Sequence, residues 1–310
     1  VVGIHGDGRL LALNSYENRV YQVWCENDPA VVVKFYRPDR WTDAQILEEH
    51  AFVAELAERE IPVVSPIGLD AIGTLPRSGE FRFAVYPRRG GRAPELERDD
   101  VLEWLGRLLG RIHVVGASAR FQHRPALDID SFGERPRAFL LDRGWLPDDL
   151  RKAYATISAQ ALDGVRRCFE RAGSVRLIRL HGDCHAGNLL WTDAGPHFVD
   201  FDDAREGPAV QDLWMLFSGP PAAMEHQLGK VLSGYERFCA FDRRELQIIE
   251  ALRTLRLLHY AAWIAQRWDD PAFPAAFPWF NTQRYWQDRI LELREQVAAM
   301  DEPALVPACR

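Results

Sequence analysis

Two short stretches hold most of this chain's chemical potential: His181-Gly182-Asp183-Cys184-His185-Ala186-Gly187-Asn188, and then Phe198-Val199-Asp200-Phe201-Asp202-Asp203. The pattern is His-x-Asp-x4-Asn, followed by an apolar run that ends in a second acidic cluster. An aspartate in such a loop can orient an attacking hydroxyl and accept its proton as the bond forms. An asparagine five residues on and an aspartate closing the next strand offer hard oxygen ligands of the kind Mg²⁺ prefers, set against a nucleotide's phosphates. The spacing is therefore that of a phosphoryl-transfer loop with its metal site, with Asp183 and Asp200 as the catalytic pair and Asn188 and Asp200 as the metal ligands. Asp202 is the rival to Asp200, and Asp203 reads as a helix- or turn-capping group. Capping of local backbone is the alternative for any one of these residues alone. Zinc is disfavoured, because adjacent Cys184 and His185 cannot easily face one tetrahedral ion and no second Cys/His cluster completes a site. Cys184 lacks the arginine-containing phosphate loop that a thiolate nucleophile would need.

Upstream, Lys34 interrupts an apolar, β-branched run, and Glu49 lies on the helix after it. A strand lysine of this kind contacts nucleotide phosphates while a helix glutamate fixes it by ion pairing. Glu48 is the alternative partner, and a solvent-facing lysine is the plain alternative for the whole feature. Residues 15–19 form a polar turn between the first two strands. Its backbone N–H groups and the Ser15 hydroxyl could cover phosphates, although it carries neither a G-x-G-x-x-G nor a Walker A pattern. An ordinary hairpin tip is the competing reading. His181 is expected to order the loop backbone, and His113 to be a buried structural histidine. Arg88, Arg89 and Arg92 read as a solvated basic face, or alternatively as a docking surface for an acidic segment.

Periodicity outlines the scaffold that carries these groups. Residues 3–36 read as strand, polar loop, strand, turn, strand. A helix is expected over 44–59 with Thr42 as N-cap, then strands near 63–69 and 81–86. The breaker-rich connection 88–92 is the expected hinge between a small lobe at 1–87 and a helical lobe at 93–310. Beyond it, helices are expected at 99–115 and 148–172, a strand at 175–180 and a hairpin around residues 193–196. Helices are expected again from 210, with a last one at 283–300. The fold class is α+β and bilobal, with adenine placed against the hinge backbone near Tyr86.

Composition sets outer limits. The 310 residues are 47% apolar and 27% charged, ordinary for a globular protein, and the net charge of −7 argues against a general nucleic-acid binder. Ten tryptophans fit aromatic core packing. Five scattered cysteines (25, 168, 184, 239 and 309) point to free thiols in a reducing compartment. No signal peptide and no membrane-length apolar run is legible, so the expectation is a cytoplasmic protein without membrane or nucleic-acid partners, and a monomer.

The strings HGDCHAGNLLW, FVDFDDAREGPAVQDLWML, LNSYENRVYQV, VVVKFYRPDRW and DPAFPAAFPWF together resemble the stress response kinase A family, a bacterial branch of the aminoglycoside/choline phosphotransferase-like superfamily. The resemblance runs from about Leu13 to Trp286. It implies a protein-kinase-like fold and ATP- and Mg²⁺-dependent phosphorylation of serine or threonine in a protein substrate, within a cytoplasmic stress response. It also implies Asp183 as the base, Asn188 and Asp200 as metal ligands, Ser15 as an ATP contact, and Asp212 as the aspartate that holds the catalytic-loop backbone. The chain departs from eukaryotic protein kinases in lacking the glycine-rich loop and an A-P-E segment, and in having Gly182 where arginine is usual. Activation-loop phosphorylation is therefore not expected. Two other readings share these residues: a kinase for a small alcohol such as an aminoglycoside, choline or a homoserine-like compound, and a catalytically silent kinase-like binding protein. Intact Lys34, Asp183, Asn188 and Asp200 weigh against the last.

Overall fold

The computed structural model describes residue 3 and residues 5–307, so Cys309 lies outside the described residues. Strands β1 (Gly6–Leu13), β2 (Arg19–Cys25), β3 (Val31–Phe35), β4 (Arg77–Ser78) and β5 (Phe81–Pro87) form an antiparallel sheet in the order β1-β2-β3-β5-β4. Alternation along β3 decides which side chains reach the cleft. Val31, with Phe83 and Val85 of β5, builds a small core on one face, with Val33 and Phe35 packed at its edge. Val32 and Lys34 point to the other face, where Lys34 is buried rather than solvent-facing.

Helix α1 (Asp43–Glu58) begins with a capping box, in which Thr42 accepts from the Gln45 N–H and Gln45 accepts from the Thr42 N–H. It buries Ile46, Glu49, His50, Phe52, Val53 and Leu56. Phe52, Val53 and Leu56 join the large core of the helical part, so α1 fastens the sheet to that part. The strand expected at 63–69 does not form. Pro62 and Pro66 withhold donors, and the segment makes isolated contacts instead: a bridge from Val63 to Phe198, a bridge from Leu69 to Gly73, and a 2.7 Å bond from the Ile67 N–H to the Val85 carbonyl.

After β5 the chain crosses an exposed connection carrying Arg88, Arg89 and Arg92, with one bridge from Arg92 to Trp191. The helical part comprises α2 (Asp99–Gly116), α3 (Arg135–Asp142), α4 (Asp148–Ala172), α5 (Pro221–Tyr235), α6 (Ile249–Gln266), α7 (Ala272–Ala276) and α8 (Gln283–Ala299). α2 and α5 approach closely because Gly106 and Gly234 lie at their crossing; a Cβ on either would stand 2.0 Å from a carbonyl of the other helix. The expected strand at 175–180 shortens to β6 (Ile178–Leu180), which pairs with β9 (Arg205–Gly207). The hairpin of β7 (Leu189–Thr192) and β8 (Gly195–Phe198) turns at residues 193 and 194. From 210 the chain makes 3₁₀ turns, Ala209–Asp212 and Trp214–Leu216, and α-helix resumes only at Pro221. No helix of the described residues is long and apolar enough to cross a membrane.

Candidate active site

The loop after β6 is shaped by its own side chains. Gly182 has φ +86°, and a Cβ there would stand 2.2 Å from the Asp203 carbonyl oxygen. That contact explains the glycine where an arginine might be expected, since only glycine lets the two acidic loops touch. His181 is buried; its Nε2 meets the Val199 carbonyl at 2.9 Å and its Nδ1 faces the Asp183 N–H at 3.3 Å. A carbonyl only accepts, so the ring proton sits on Nε2 and Nδ1 accepts. Asp212, fully buried, accepts from the His181 and Gly182 N–H groups at 2.8 Å each. His113 backs Asp212 at 3.2 Å and meets the Tyr235 hydroxyl at 2.8 Å. The chain His113, Asp212, loop backbone therefore fixes the peptide that carries Asp183.

Asn188 donates through its amide nitrogen to the Asp183 carbonyl at 3.0 Å, which leaves its oxygen available. Asp200 adopts φ 60°, ψ 63°, a left-handed conformation accessible to aspartate, and its side chain is 51% exposed. The Lys34 ammonium contacts Asp200 Oδ1 at 2.9 Å and Asp202 Oδ1 at 3.1 Å. Burial works against the lysine's charge, yet Asp200 and Asp202 outweigh it and hold the amine above its ordinary value.

The expected ion pair between Lys34 and Glu49 is absent. Glu49 lies in the same cavity but faces Arg124 at 3.6 Å, a charge contact too long for a hydrogen bond. Burial pushes its carboxyl up to about 7 despite the nearby Lys34 and Arg124. Glu48, the alternative partner, instead caps the turn at residues 122–124, accepting from the His123 N–H at 2.9 Å and the Arg124 N–H at 2.8 Å. The lysine goes to Asp200 and Asp202 because those carboxylates lie across the cleft within reach of its tip.

Asp202 and Asp203 are not free ligands. Asp202 is 3% exposed and bonded to Lys34, to Arg40 and to the Asn18 amide at 3.2 Å. Asp203, expected to cap a turn, takes Arg40 at 2.9 Å and Arg205 at 2.8 Å. With Asp202 neutralised on several sides, Asp200 is the available carboxylate. Among the described residues no group of three His, Cys, Asp or Glu could hold an ion. Two oxygen ligands suit Mg²⁺ nonetheless, because it keeps waters and binds through one or two carboxylates plus substrate phosphates. The donor set of Asn188 and Asp200 fits such an ion.

Two cavities meet at this loop. One, of about 340 Å³, is lined by Ser15, Val32, Lys34, Glu49, Tyr86 and Arg89. Tyr86 turns its side chain inward, with its hydroxyl 3.1 Å from that of Tyr36, and β5 beyond Val85 has no strand on its outer edge. The Ser15 hydroxyl accepts the Asn18 N–H at 3.4 Å. The second cavity, of about 440 Å³, lies beyond Asp183, between the 14–18 turn and α6. There Asp183 Oδ1 meets Arg256 at 2.5 Å and Oδ2 meets His185 at 3.3 Å. Burial raises the Asp183 carboxyl, but the His185 hydrogen bond and the Arg256 charge prevail and hold it at about 2.

Arg40, Arg124, Arg256, Asn18 and Glu17 were not legible as site residues in the sequence. Arginines distant in sequence give no periodic signal; the one hint was the polar string around Asn18. Arg124 donates to the Asp202 carbonyl at 2.8 Å and the Ala204 carbonyl at 2.7 Å, and through Nε to Gln45 of α1 at 2.8 Å.

Residues 9–249 match the phosphotransferase enzyme family. The chain is 45% identical over 303 residues to stress response kinase A of Escherichia coli (strain K12), covering 98% of this chain and 91% of that protein. It is 43% identical over 303 residues, with the same coverage, to the serine/threonine protein kinase RdoA of Salmonella typhimurium (strain LT2). Among solved structures, the amicoumacin kinase hAmiN in complex with AMP-PNP, Ca²⁺ and Ami superposes with a TM-score of 0.75 at 18% identity, covering 99% of this chain and 93% of that one. Spectinomycin phosphotransferase APH(9)-Ia gives 0.65 at 18% identity, covering 97% and 91%. The fold is thus that of the kinase-like phosphotransferases, and the chain belongs to the phosphotransferase enzyme family, among the stress response kinase A relatives.

Proposed function

We propose that this protein transfers the terminal phosphoryl group of ATP, with Mg²⁺, to serine or threonine hydroxyls of a protein, in the cytoplasm as part of a stress response. The carrying observation is the charge of the acceptor cavity. Of its five carboxylates, Asp183 is matched by Arg256, Asp202 by Arg40 and Lys34, Asp203 by Arg205 and Arg40, and Glu17 by Arg267 at 2.8 Å, while Asp200 meets Lys34 and is the metal ligand of this reading. A polycationic aminoglycoside or a quaternary amine would find no unpaired acid to bind, whereas a peptide hydroxyl needs none. The likeness, over 98% of this chain and 91% of each relative, to proteins named as serine/threonine and stress response kinases supports the same reading.

In this reading Asp183 orients the acceptor hydroxyl and takes its proton. Lys34 leaves Asp200 for the phosphates, and Ser15 with its turn covers them. Asn188 and Asp200 hold the metal, which supplies charge neutralisation to the transferring phosphoryl group. His181 and Asp212 keep the loop in place. Glu49 closes the back of the nucleotide cavity, and adenine lies against the free edge of β5 near Tyr86. Residues 88–92 are the hinge between the sheet-bearing lobe and the helical lobe.

One observation favours a second reading: a cavity of about 440 Å³ is the size that takes a small molecule, so a neutral or anionic alcohol is the competing acceptor. Labelled ATP with Mg²⁺, offered in parallel to a generic protein acceptor and a panel of alcohols, separates them. Label in protein serine or threonine is expected; label confined to the alcohols would reverse the assignment, and absence of turnover with any acceptor would favour a silent binding protein.

A further inference from the structure

We propose that Arg256 reads a negative charge beside the acceptor hydroxyl, so that the favoured substrate is a serine or threonine with an acidic residue one or two positions away. This rests on the protein-kinase reading above and names its substrate class.

The arginines around the acceptor cavity differ in how they are occupied. Arg40 is committed to Asp202 and Asp203, Arg205 to Asp203, Arg267 to Glu17, and Arg37 to Glu17 and Asp270. Their side chains are no more than 22% exposed, and each carboxylate partner is internal to the fold. Arg256 differs on both counts. Its side chain is 42% exposed, and its sole carboxylate partner among the described residues is Asp183, the group the reaction needs.

Both oxygens of Asp183 are covered, Oδ1 by Arg256 and Oδ2 by His185. An acceptor hydroxyl must take one of them. His185 is held by its own loop, with Nδ1 accepting the Gly187 N–H at 2.9 Å. Arg256 reaches in from α6 on a long side chain with unused N–H donors, so it is the group that can move. A substrate carboxylate offers the guanidinium a two-pronged partner in place of a one-pronged contact. It draws Arg256 off Asp183 and frees Oδ1 for the hydroxyl. A substrate cation has the opposite effect, since Arg256 then stays on the base and Arg205 adds repulsion across the cavity. The reach is short: consecutive residues of an extended peptide advance about 3.3–3.6 Å, so only the first or second neighbour of the acceptor can reach a side chain that touches the base.

The experiment uses full-length protein with MgATP and peptides carrying one serine in an alanine background, flanked by aspartate or by lysine at the first and second positions. Parent, Arg256→Gln and Arg256→Glu are compared by kcat/KM, with MgATP binding as the check that each variant is folded. The parent should favour aspartate over lysine by about tenfold to a hundredfold, the worth of one charge-assisted pair. Arg256→Gln should bring the ratio to within about threefold, and Arg256→Glu should invert it. Should Arg256→Gln bind no nucleotide, Arg256→Lys, which keeps the charge without the fork, is expected to show an intermediate ratio. Peptides phosphorylated with the same ratio by parent and Arg256→Gln would overturn the Arg256 assignment and leave the protein-kinase reading standing. Peptides left untouched by every form while small alcohols are consumed would overturn both.

Discussion

On the sheet side of the cleft, Glu49 sits buried with Lys34 in the same cavity and Arg124 at 3.6 Å, and its carboxyl is still pushed up to about 7. On the helix side, Asp202 is buried and Asp183 half-buried, and arginine, lysine and histidine contacts hold both at about 2. The wall proposed for the nucleotide is lean in fixed positive charge, with Lys34 shared between two aspartates and Arg89 at the rim. The wall proposed for the acceptor carries its cations in place, from residues dispersed between Arg40 and Arg256. A nucleotide arrives with its own metal and many phosphate oxygens, so its wall needs a few well-placed groups. An acceptor hydroxyl brings little charge, and the protein must supply the field itself. What varies between members of such a fold is therefore expected on the helix side, where this chain places Arg256.

The sharpest way to break this division is to remove one carboxylate from each side. Asp183→Asn should lower kcat by about 10²–10⁴-fold at saturating MgATP, with nucleotide affinity measured by calorimetry unchanged. Asp200→Asn should instead lose the Mg²⁺-dependent part of nucleotide binding. If Asp183→Asn weakens nucleotide binding as much as Asp200→Asn does, the two walls are one electrostatic unit. An unchanged Mg²⁺ requirement in Asp200→Asn would move the metal to Asp202.

A smaller effect is expected where the walls are tied together. Glu17, in the turn over the cleft, contacts Arg37 at 3.2 Å, Arg40 at 3.8 Å and Arg267 at 2.8 Å, and accepts from the Trp263 ring N–H at 2.5 Å. Its neighbour Tyr16 packs on Phe277 with ring centroids 4.8 Å apart. Glu17→Gln keeps an acceptor for Trp263 but leaves buried guanidinium groups short of a counter-charge. It should cost about 3 kcal/mol or more in denaturant unfolding, and the loss should be insensitive to salt because the contact is buried. Exposed Glu26→Gln is the control, expected within about 0.5 kcal/mol of the parent. An equally small loss in Glu17→Gln would mean that the turn is not fastened by charge.

The wall proposed for the nucleotide is partly readable in the sequence, because several of its signals are local, although the Lys34–Glu49 pair expected there does not form. Period-2 alternation through Val31–Phe35 sets Lys34 on the face opposite Val31, Val33 and Phe35 without saying which face is buried, Thr42 marks the start of α1, and the spacing from Asp183 to Asn188 lies within one loop. Sequence and structure part where tertiary contacts decide. The apolar run at 63–69 reads as a strand, but two prolines leave it bonding to Phe198 and Val85 across the fold. The apolar residues from Val210 read as helical, but the chain makes the 3₁₀ turns Ala209–Asp212 and Trp214–Leu216 there, with the Val210 N–H capped by buried Glu245 at 2.8 Å. The acceptor wall is illegible for a similar reason. Arg40, Arg205 and Arg256 are ordinary surface-type residues until the fold brings them to a common cavity.

The smallest expected effect tests the contrast in how the walls keep their acids, and it needs neither nucleotide nor substrate. With a folded-state value of about 7 against an ordinary 4.5, Glu49 binds a proton in the folded chain that the unfolded chain has released between those values. Its contribution to stability is therefore fully present below about pH 4.5 and is lost as pH rises through about 7. Asp183 and Asp202 have the opposite sign: held at about 2, they contribute above their ordinary 3.8, and the contribution is lost as pH falls through about 2. Glu49→Gln removes the buried charge and leaves the shape, so the variant should exceed the parent in unfolding free energy at pH 8 by at most about 3 kcal/mol, the worth of raising the carboxyl from 4.5 to about 7. At pH 4 the two should converge, because the parent's carboxyl is then protonated. Urea unfolding between pH 4 and 8 reads both limbs. Parallel curves for parent and variant would mean that Glu49 stays ionised throughout, paired with Lys34 or Arg124 in solution, and the two walls would then handle buried acids in the same way.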